Sequence, residues 1–146
     1  MGARAFRLWG CIVVARRWVL HFDGGSRGNP GPGYGSFVLL QDGREVRRKR
    51  ADFGRRTNNE AEYLALIEGL KDALAYFSHQ GVDAAQEALE VRGDSQLVLS
   101  QVRGNWRARE PRMGVLRDQA LKLLGRFGRY TLVQVPRSKS VELLGH

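Results

Sequence analysis

The chain has 146 residues, 42% of them hydrophobic, and its 24 Lys and Arg against 15 Asp and Glu give a formal net charge of +9. A chain of this length builds one well-buried core and is too short for two, so we expect one domain. The positive charge favours a polyanionic partner, nucleic acid ahead of a membrane surface. One Cys excludes an internal disulfide, the three His show no zinc-ligand spacing, and this composition predicts a cytoplasmic protein.

The first 17 residues are interpreted as an N-terminal extension, followed by the main domain at 18–146. Within the extension, Leu8 to Ala15 is an apolar run between arginines, far shorter than the roughly 20 residues that a membrane-spanning helix needs. No clear small-x-small cleavage site of a signal peptide follows it. The run therefore predicts a leading strand or a poorly ordered extension, and no membrane insertion.

The next element is a strand that leads into a carboxylate. Trp18 to Phe22 alternates and is rich in strand formers, so we expect Asp23 at the carboxyl end of that strand, where open α/β sheets bind ligands. The glycines and prolines after it lead into a second strand, Tyr34 to Leu40, whereas nucleotide-binding glycine loops lead into a helix. Two interpretations stay open for Asp23: a metal ligand, or part of an ordinary glycine-rich turn.

The middle of the chain predicts a hairpin and then a long helix. Asp42-Gly43 is typical of a hairpin turn, and the strand after it, Arg44 to Phe53, is charged enough to belong at a sheet edge. Thr57 and Glu60 have the spacing of a capping box, which predicts a helix that begins there and ends before Gly81. Apolar residues at helical spacing predict that this helix covers a sheet.

The second half predicts a strand over Ala88 to Gly93, a helix that starts at once with Asp94, a helix with Pro111 in its first turn, and a strand over Arg129 to Val135. The order βββαβααβ implies an α/β fold, a mixed sheet with helices packed against it.

Three acids stand out by context: Asp23 after a strand, Glu62 in the first turns of the capped helix, and Asp94 at a strand-to-helix junction. Each has a structural alternative, since Glu62 is also placed to favour the helix dipole and Asp94 to cap its helix. Together they suit Mg²⁺, which prefers carboxylate oxygens, and a pair of such ions can clamp a phosphodiester during in-line displacement.

At these residues the sequence resembles a known family. Asp23-Gly-Gly-Ser-Arg-Gly-Asn-Pro-Gly-Pro-Gly33, Thr57-Asn-Asn-Glu-Ala-Glu62 and Asp94-Ser-Gln96 look like the ordered motifs of type 1 ribonuclease H. The resemblance implies a ribonuclease H-like fold with a five-stranded mixed sheet in the order 3-2-1-4-5. It also implies metal-dependent endonucleolytic cleavage of the RNA strand of RNA/DNA hybrids, with two Mg²⁺ ions.

Carried over to this chain, the resemblance makes Asp23 the ligand of both ions and gives Glu62 and Asp94 to the ion on the leaving-group side. A second set of residues would contact substrate: Asn29, Asn58, Asn59 and Gln96 on the RNA strand, and Arg55 with Thr57 around a phosphate of the DNA strand. Such contacts suit an A-form groove, where 2′-hydroxyls and phosphates are recognised. Trp106, in a short basic stretch, is expected to make a modest phosphate contact or to lie in a solvated loop.

The chain departs from the family near its C-terminus. The family supplies a fourth carboxylate seven residues after an Arg equivalent to Arg137, and that count reaches Leu144. We therefore expect the last helix to be missing or truncated. Three outcomes are open: Glu142 or His146 replaces the absent ligand, substrate phosphate holds the metal, or the protein binds hybrids without cutting them efficiently. A His ligand would shift the preference toward Mn²⁺.

The leading expectation is thus a monomeric ribonuclease H. The alternative is a non-catalytic module on the same fold that binds RNA/DNA hybrid or double-stranded RNA. A nuclease of the transposase or exonuclease type is less consistent with the Asn58-Asn59 and Gln96 motifs.

Overall fold

The computed structural model describes residues 4–8 and 11–145, with side chains from residue 16 onward. Seven strands, four α-helices and one 3-10 turn lie within them. Their bounds are β1 Arg4–Leu8, β2 Cys11–Ala15, β3 Trp18–Ser26, β4 Gly31–Gln41, β5 Arg44–Arg56, α1 Asn58–His79, the 3-10 turn Ala84–Gln86, β6 Ala88–Gly93, α2 Gln96–Arg103, α3 Pro111–Leu124, β7 Arg129–Gln134 and α4 Arg137–Leu144.

The main sheet has five strands in the order β5-β4-β3-β6-β7. Strands β6 and β7 are parallel to each other and to β3, whereas β4 runs antiparallel to both β3 and β5. Counted from β3, this is the predicted order 3-2-1-4-5, and the predicted βββαβααβ succession is confirmed. In the leading apolar run, Cys11–Ala15 forms strand β2, which pairs with β1 as a separate two-stranded sheet.

Helix α1 packs against one face of the main sheet and forms the core with it. Trp18, Leu20 and Phe22 alternate along β3 with their side chains in this core, as the strand period requires. The capping box is confirmed: the Glu60 N–H donates to Thr57 Oγ1 at 3.2 Å, and the Thr57 N–H donates to Glu60 Oε1 at 2.9 Å. This cap fixes where α1 begins.

Helix α4 lies on the opposite face of the sheet. His21 Nε2 of β3 is hydrogen bonded to Ser140 Oγ at 3.1 Å, and both residues are buried. Leu144 is buried as well, and an Arg48 N–H of β5 donates to the Leu143 carbonyl at 2.9 Å. The last helix is therefore not missing: a helix of eight residues is present here.

Strand β5 lies at one edge of the sheet, as its charge predicts, and most of its side chains are exposed. It continues past the predicted end at Phe53 to Arg56, because β4 pairs with it as far as Gly31. None of the helices in the described part of the chain combines the length and apolar character needed to span a membrane.

Candidate active site

Asp23 and Asp94 lie where two neighbouring strands part. The parallel pairing of β3 with β6 ends at His21 and Arg92, and Asp94 directly follows the end of β6. Asp23 lies within β3 rather than at its end, because the strand stays paired with β4 through Ser26. The two carboxylates thus sit at the same carboxyl edge of the sheet, the position that the strand pattern predicts.

Gly24 allows the start of α1 to lie directly against β3. A Cβ at this position would be 2.4 Å from the Ala61 carbonyl oxygen and 2.9 Å from the Glu62 Cα, both backbone atoms. Only a glycine fits so close an approach. The approach places Glu62 of α1 beside Asp23 of β3, so the third carboxylate comes from a third element.

The three carboxylates interact electrostatically. Burial raises the pKa of Glu62 to about 7, with smaller contributions in the same direction from Asp94 and Asp23, while a hydrogen bond with Ser95 opposes the shift. Burial and the neighbouring Asp94 raise the pKa of Asp23 to about 6. Such a group of mutually repelling carboxylates is typical of functional sites, where a bound cation would relieve the repulsion.

Asp94 is not the N-cap of α2, so the capping alternative is wrong. The Val98 N–H donates to Ser95 Oγ at 3.2 Å, and α2 begins only at Gln96. The carboxylate of Asp94 instead contacts Arg137 of α4, with 3.4 Å between Oδ2 and Nη1. The positive charge of Arg137 partly opposes the rise in the pKa of Asp23 and of Glu62.

The donor set of Asp23, Glu62 and Asp94 fits a hard divalent cation, because all its side-chain ligand atoms are carboxylate oxygens. Within the described residues, no three His, Cys, Asp or Glu side chains lie in an arrangement that could hold a metal ion. Two of the carboxylates are engaged elsewhere, Glu62 with Asn58 Nδ2 at 3.3 Å and Asp94 with Arg137. An incoming ion would have to compete with these polar contacts.

Asn58 joins the glycine-rich loop to the helix. Its side-chain Oδ1 accepts from the Ser26 N–H at 3.1 Å, its Nδ2 donates to Glu62, and its backbone N–H donates to Asn29 Oδ1 at 3.0 Å. Two of the amides predicted to contact RNA, Asn29 and Asn58, are thus adjacent to each other and to the carboxylates. Gln96 is exposed in the first turn of α2, just after Asp94, and Asn59 is partly buried next to Asn58.

The residues predicted for phosphate contacts lie at three separate places on the structure. Thr57 caps α1, and a helix N-terminus also attracts phosphate, so both predicted roles are compatible with its position. Arg55 is exposed and lines an open cavity of about 470 Å³. Trp106 is 44% exposed and lines a different open cavity, of about 490 Å³, together with Arg107 and Arg109.

The C-terminal segment does not bring a fourth carboxylate to the other three. The Glu142 side chain is 76% exposed and lies 3.9 Å from Lys139 Nζ, while the buried side of α4 carries Ser140 and Leu144. Leu144, at the position of the family's carboxylate by sequence count, is buried. His146 lies outside the described residues.

Two neighbours of the acids have roles that the sequence pattern did not assign. Ser95 both caps α2 and hydrogen bonds to Glu62, and Arg137 pairs with Asp94. The role of Ser95 could have been suspected from the sequence, because this residue directly follows the predicted ligand Asp94. Arg137 is 43 residues away from Asp94 in sequence, and only the packing of α4 on the sheet brings them together.

The repulsion among the acids predicts a pH-dependent effect of Glu62→Gln in EDTA. Because the folded-state pKa of Glu62 is raised from 4.5 to about 7, ionisation destabilises the fold as pH rises through this window, by about 3 kcal/mol at most. Glu62→Gln removes that cost. In denaturant unfolding, we expect the variant's excess free energy of unfolding over wild type to grow from pH 5 to pH 8. The depressed pKa of His21 acts with the opposite sign but is common to both proteins. A pH-independent difference would contradict the burial argument.

Comparison with known proteins gives a consistent result. The family model described as Reverse transcriptase-like matches residues 21–142. A curated Ribonuclease HI of Halobacterium salinarum is 41% identical over 119 residues, which cover 81% of this chain and 56% of that protein. The crystal structure of RNase H1 from Halobacterium salinarum has a TM-score of 0.78 at 40% identity, covering 88% of this chain and 93% of that chain. LC11-RNase H1, solved in complex with RNA/DNA hybrid, has a TM-score of 0.77 at 32% identity. The match covers 86% of this chain and 90% of that chain.

The chain spans little more than half the length of the curated Halobacterium relative. Its match to the crystallised RNase H1 chain covers 93% of that chain, and the sheet order is the one that the family resemblance implied. The chain belongs to the type 1 ribonuclease H family.

Proposed function

We propose that this protein is a metal-dependent endonuclease that hydrolyses the RNA strand of RNA/DNA hybrids. The observation that carries the proposal is the convergence of Asp23, Glu62 and Asp94 from β3, α1 and the end of β6. Support comes from the relatives, since one is named Ribonuclease HI and another was solved in complex with RNA/DNA hybrid. The net charge of +9 suits a nucleic-acid substrate.

In this proposal Asp23, Glu62 and Asp94 hold two Mg²⁺ ions, or Mn²⁺ in their place. When bound, the ions neutralise charge on the scissile phosphate and supply an activated water. Asp23 would serve both ions, with Glu62 and Asp94 on the leaving-group side. No side-chain nucleophile is then needed, and Arg137 adds positive charge beside the acids.

Substrate contacts follow from the surroundings of the acids. The amide side chains of Asn29, Asn58, Asn59 and Gln96 would hydrogen bond with 2′-hydroxyls and base edges of the RNA strand, and the contact between Asn29 and Asn58 beside Glu62 supports this. Arg55 and the α1 N-terminus at Thr57 would bind a phosphate of the DNA strand. Trp106, with the arginines beside it, would contact the backbone farther along.

We also propose that the protein works as a monomer in a reducing cytoplasm. All three carboxylates come from one chain, and the single Cys has no partner within the sequence for a disulfide. Gel filtration with light scattering tests the first of these points.

A substrate panel tests the proposed activity. Labelled RNA/DNA hybrid, double-stranded RNA and single-stranded RNA are incubated with Mg²⁺ or Mn²⁺, beside an Asp94→Asn variant. We expect cleavage of hybrid RNA by wild type and none by the variant. Cleavage of DNA, or equal cleavage by Asp94→Asn, would overturn the proposal.

A second candidate is a hybrid- or double-stranded-RNA-binding module without catalysis. The solvent-exposed position of Glu142 favours it, because only three carboxylates are gathered in the described part of the chain. Tight hybrid binding without cleavage in either metal would support this module over the nuclease.

Glu142→Gln is expected to leave the cleavage rate within about twofold of wild type. The side chain points into solvent beside Lys139, and removing an exposed i,i+3 pair costs at most a few tenths of a kcal/mol. The rate of hybrid cleavage under single-turnover conditions measures this. A tenfold decrease would instead make Glu142 the replacement for the absent ligand.

A further inference from the structure

Two arginines approach the ring of one tyrosine between the carboxylates and the sheet edge. The Arg27 guanidinium carbon is 5.6 Å from the Tyr34 ring centroid, and that of Arg50 is 6.0 Å from it. We call these three residues the Arg–Tyr–Arg cluster. The ring attracts and orients both guanidinium groups through its quadrupole.

The strand register places this cluster on the face of the sheet that carries Asp23. Asp23 pairs with Ser36 of β4, and Ser36 pairs with Arg50 of β5, so the three side chains leave the same face. Two strand spacings separate Asp23 from Arg50, about 10 Å. Tyr34 lies on β4 two residues before Ser36, and a Cβ on Gly25 would be 2.8 Å from the Tyr34 hydroxyl. The cluster is thus continuous with the candidate active site.

The two arginines of the cluster differ in their ion pairing from Arg47 and Arg48 of β5. Arg47 is neutralised by Asp72 of α1 at 2.8 Å, and Arg48 by Glu45 at 2.9 Å. Among residues 16–145, Arg27 and Arg50 have no carboxylate within ion-pair distance, and both are exposed. Their positive charges therefore remain available to an anion.

An open cavity adjoins the cluster. It has a volume of about 470 Å³, and Arg27 and Arg55 line it together with Pro32, Gly33 and Gly54. Asp52 is the one acid in this lining. Arg27 and Arg55 bring two exposed guanidinium groups to this cavity, and Arg50 adds a third at the tyrosine ring that Arg27 also approaches. Together they make a surface for an oxyanion, because guanidinium forks match phosphate oxygens.

We propose that the Arg–Tyr–Arg cluster binds a backbone phosphate of the nucleic-acid duplex beyond the nucleotides at the carboxylates. This inference rests on the proposed function for the identity of the duplex. Arg27 and Arg50 hold the phosphate, and Tyr34 keeps the two guanidinium groups in place. The contact is independent of base sequence. It adds affinity and helps to fix the position of the protein along the duplex, as phosphate contacts do.

The test is hybrid binding by fluorescence anisotropy in EDTA, at a series of salt concentrations, so that cleavage does not interfere. An Arg27→Ala/Arg50→Ala variant is compared with Arg126→Ala/Arg129→Ala, which removes the same charge at the opposite end of the sheet, where Arg129 pairs with the start of β6. Thermal melting confirms that both variants fold.

We expect the cluster variant to bind hybrid roughly 10-fold or more weakly at low salt. The slope of log Kobs against log salt should become shallower by about one to two, whereas the control should change little. Equal effects of the two variants would overturn the inference, because net charge alone would then explain the loss.

Cleavage by the same proteins separates this inference from the proposed function. If wild type cleaves hybrid and the cluster variant binds it like the control, only the cluster assignment fails. If wild type binds hybrid without cleaving it and the cluster variant binds more weakly than the control, the phosphate site stands and the nuclease proposal fails.

Discussion

Replacing Asp23 with Asn is expected to lower the rate of hybrid cleavage by at least about 1,000-fold. The side chain is 2% exposed and interacts electrostatically with Asp94 and Glu62, and in the proposed function it is the acid that serves both ions. Loss of several kcal/mol of charge stabilisation corresponds to a rate change of this size. Single-turnover cleavage of labelled hybrid at saturating Mg²⁺ measures it.

Asp118→Asn is the matched control for Asp23→Asn. Its carboxylate is 70% exposed on α3 and pairs with the neighbouring Arg117, so we expect wild-type cleavage. In EDTA, Asp23→Asn should also unfold at a temperature at or above that of wild type, because the variant removes a buried carboxylate from a repelling group. An inactive but destabilised variant would point to a structural role for Asp23 instead.

Gly24→Ala is expected to destabilise the fold by roughly 2 to 3 kcal/mol and to lower cleavage by about 100-fold. The new Cβ would overlap the backbone of Ala61 and Glu62, which no side-chain rotation can relieve, so the start of α1 must move away from β3. This movement separates Glu62 from Asp23, and a displacement of about 1 Å suffices for such a loss of rate. Denaturant unfolding and cleavage kinetics measure the two effects.

Gly114→Ala provides the control for a Gly-to-Ala change in this domain. A Cβ at Gly114 in α3 meets no atom within 4 Å, and alanine favours a helix interior by about 0.5 to 1 kcal/mol. We expect a slightly more stable protein with unchanged activity. If Gly24→Ala behaved like Gly114→Ala, the close approach of α1 and β3 would not be what sets the position of Glu62.

Much of the fold could be predicted because its signals are local. The capping box at Thr57 and Glu60 fixes the start of α1, and the charge of β5 places that strand at the edge. The sheet order itself came from the family resemblance, since strand pairing between distant segments leaves no local pattern.

The last helix illustrates where local signals fail. Helix α4 has no side-chain cap, and only Ser140 and Leu144 are buried along it, so its sequence shows almost no helical periodicity. Its position depends on the buried contact of Ser140 with His21, 119 residues earlier. Contacts of such long range are invisible in a single sequence.

Some features of the candidate site could likewise be predicted from the sequence, whereas others needed the structure. Asp23, Glu62 and Asp94 could be selected as candidates from their motifs, and the structure brings them together. The sequence left the capping role of Asp94 open, and it took the position of Ser95 to exclude it. The prediction that β3 ends near Asp23 was wrong. Glycines are typical of turns, but Gly24 and Gly25 remain paired with β4 in this structure.

The most direct measurement is a time course of hybrid cleavage by the purified wild-type protein in EDTA, Mg²⁺ and Mn²⁺, with analysis of the product ends. Hydrolysis by a carboxylate-held metal predicts cleavage only when a divalent ion is present, with 3′-hydroxyl and 5′-phosphate ends on the RNA. Cleavage that persists in EDTA, or products ending in 2′,3′-cyclic phosphate, would contradict a metal-dependent site at Asp23, Glu62 and Asp94.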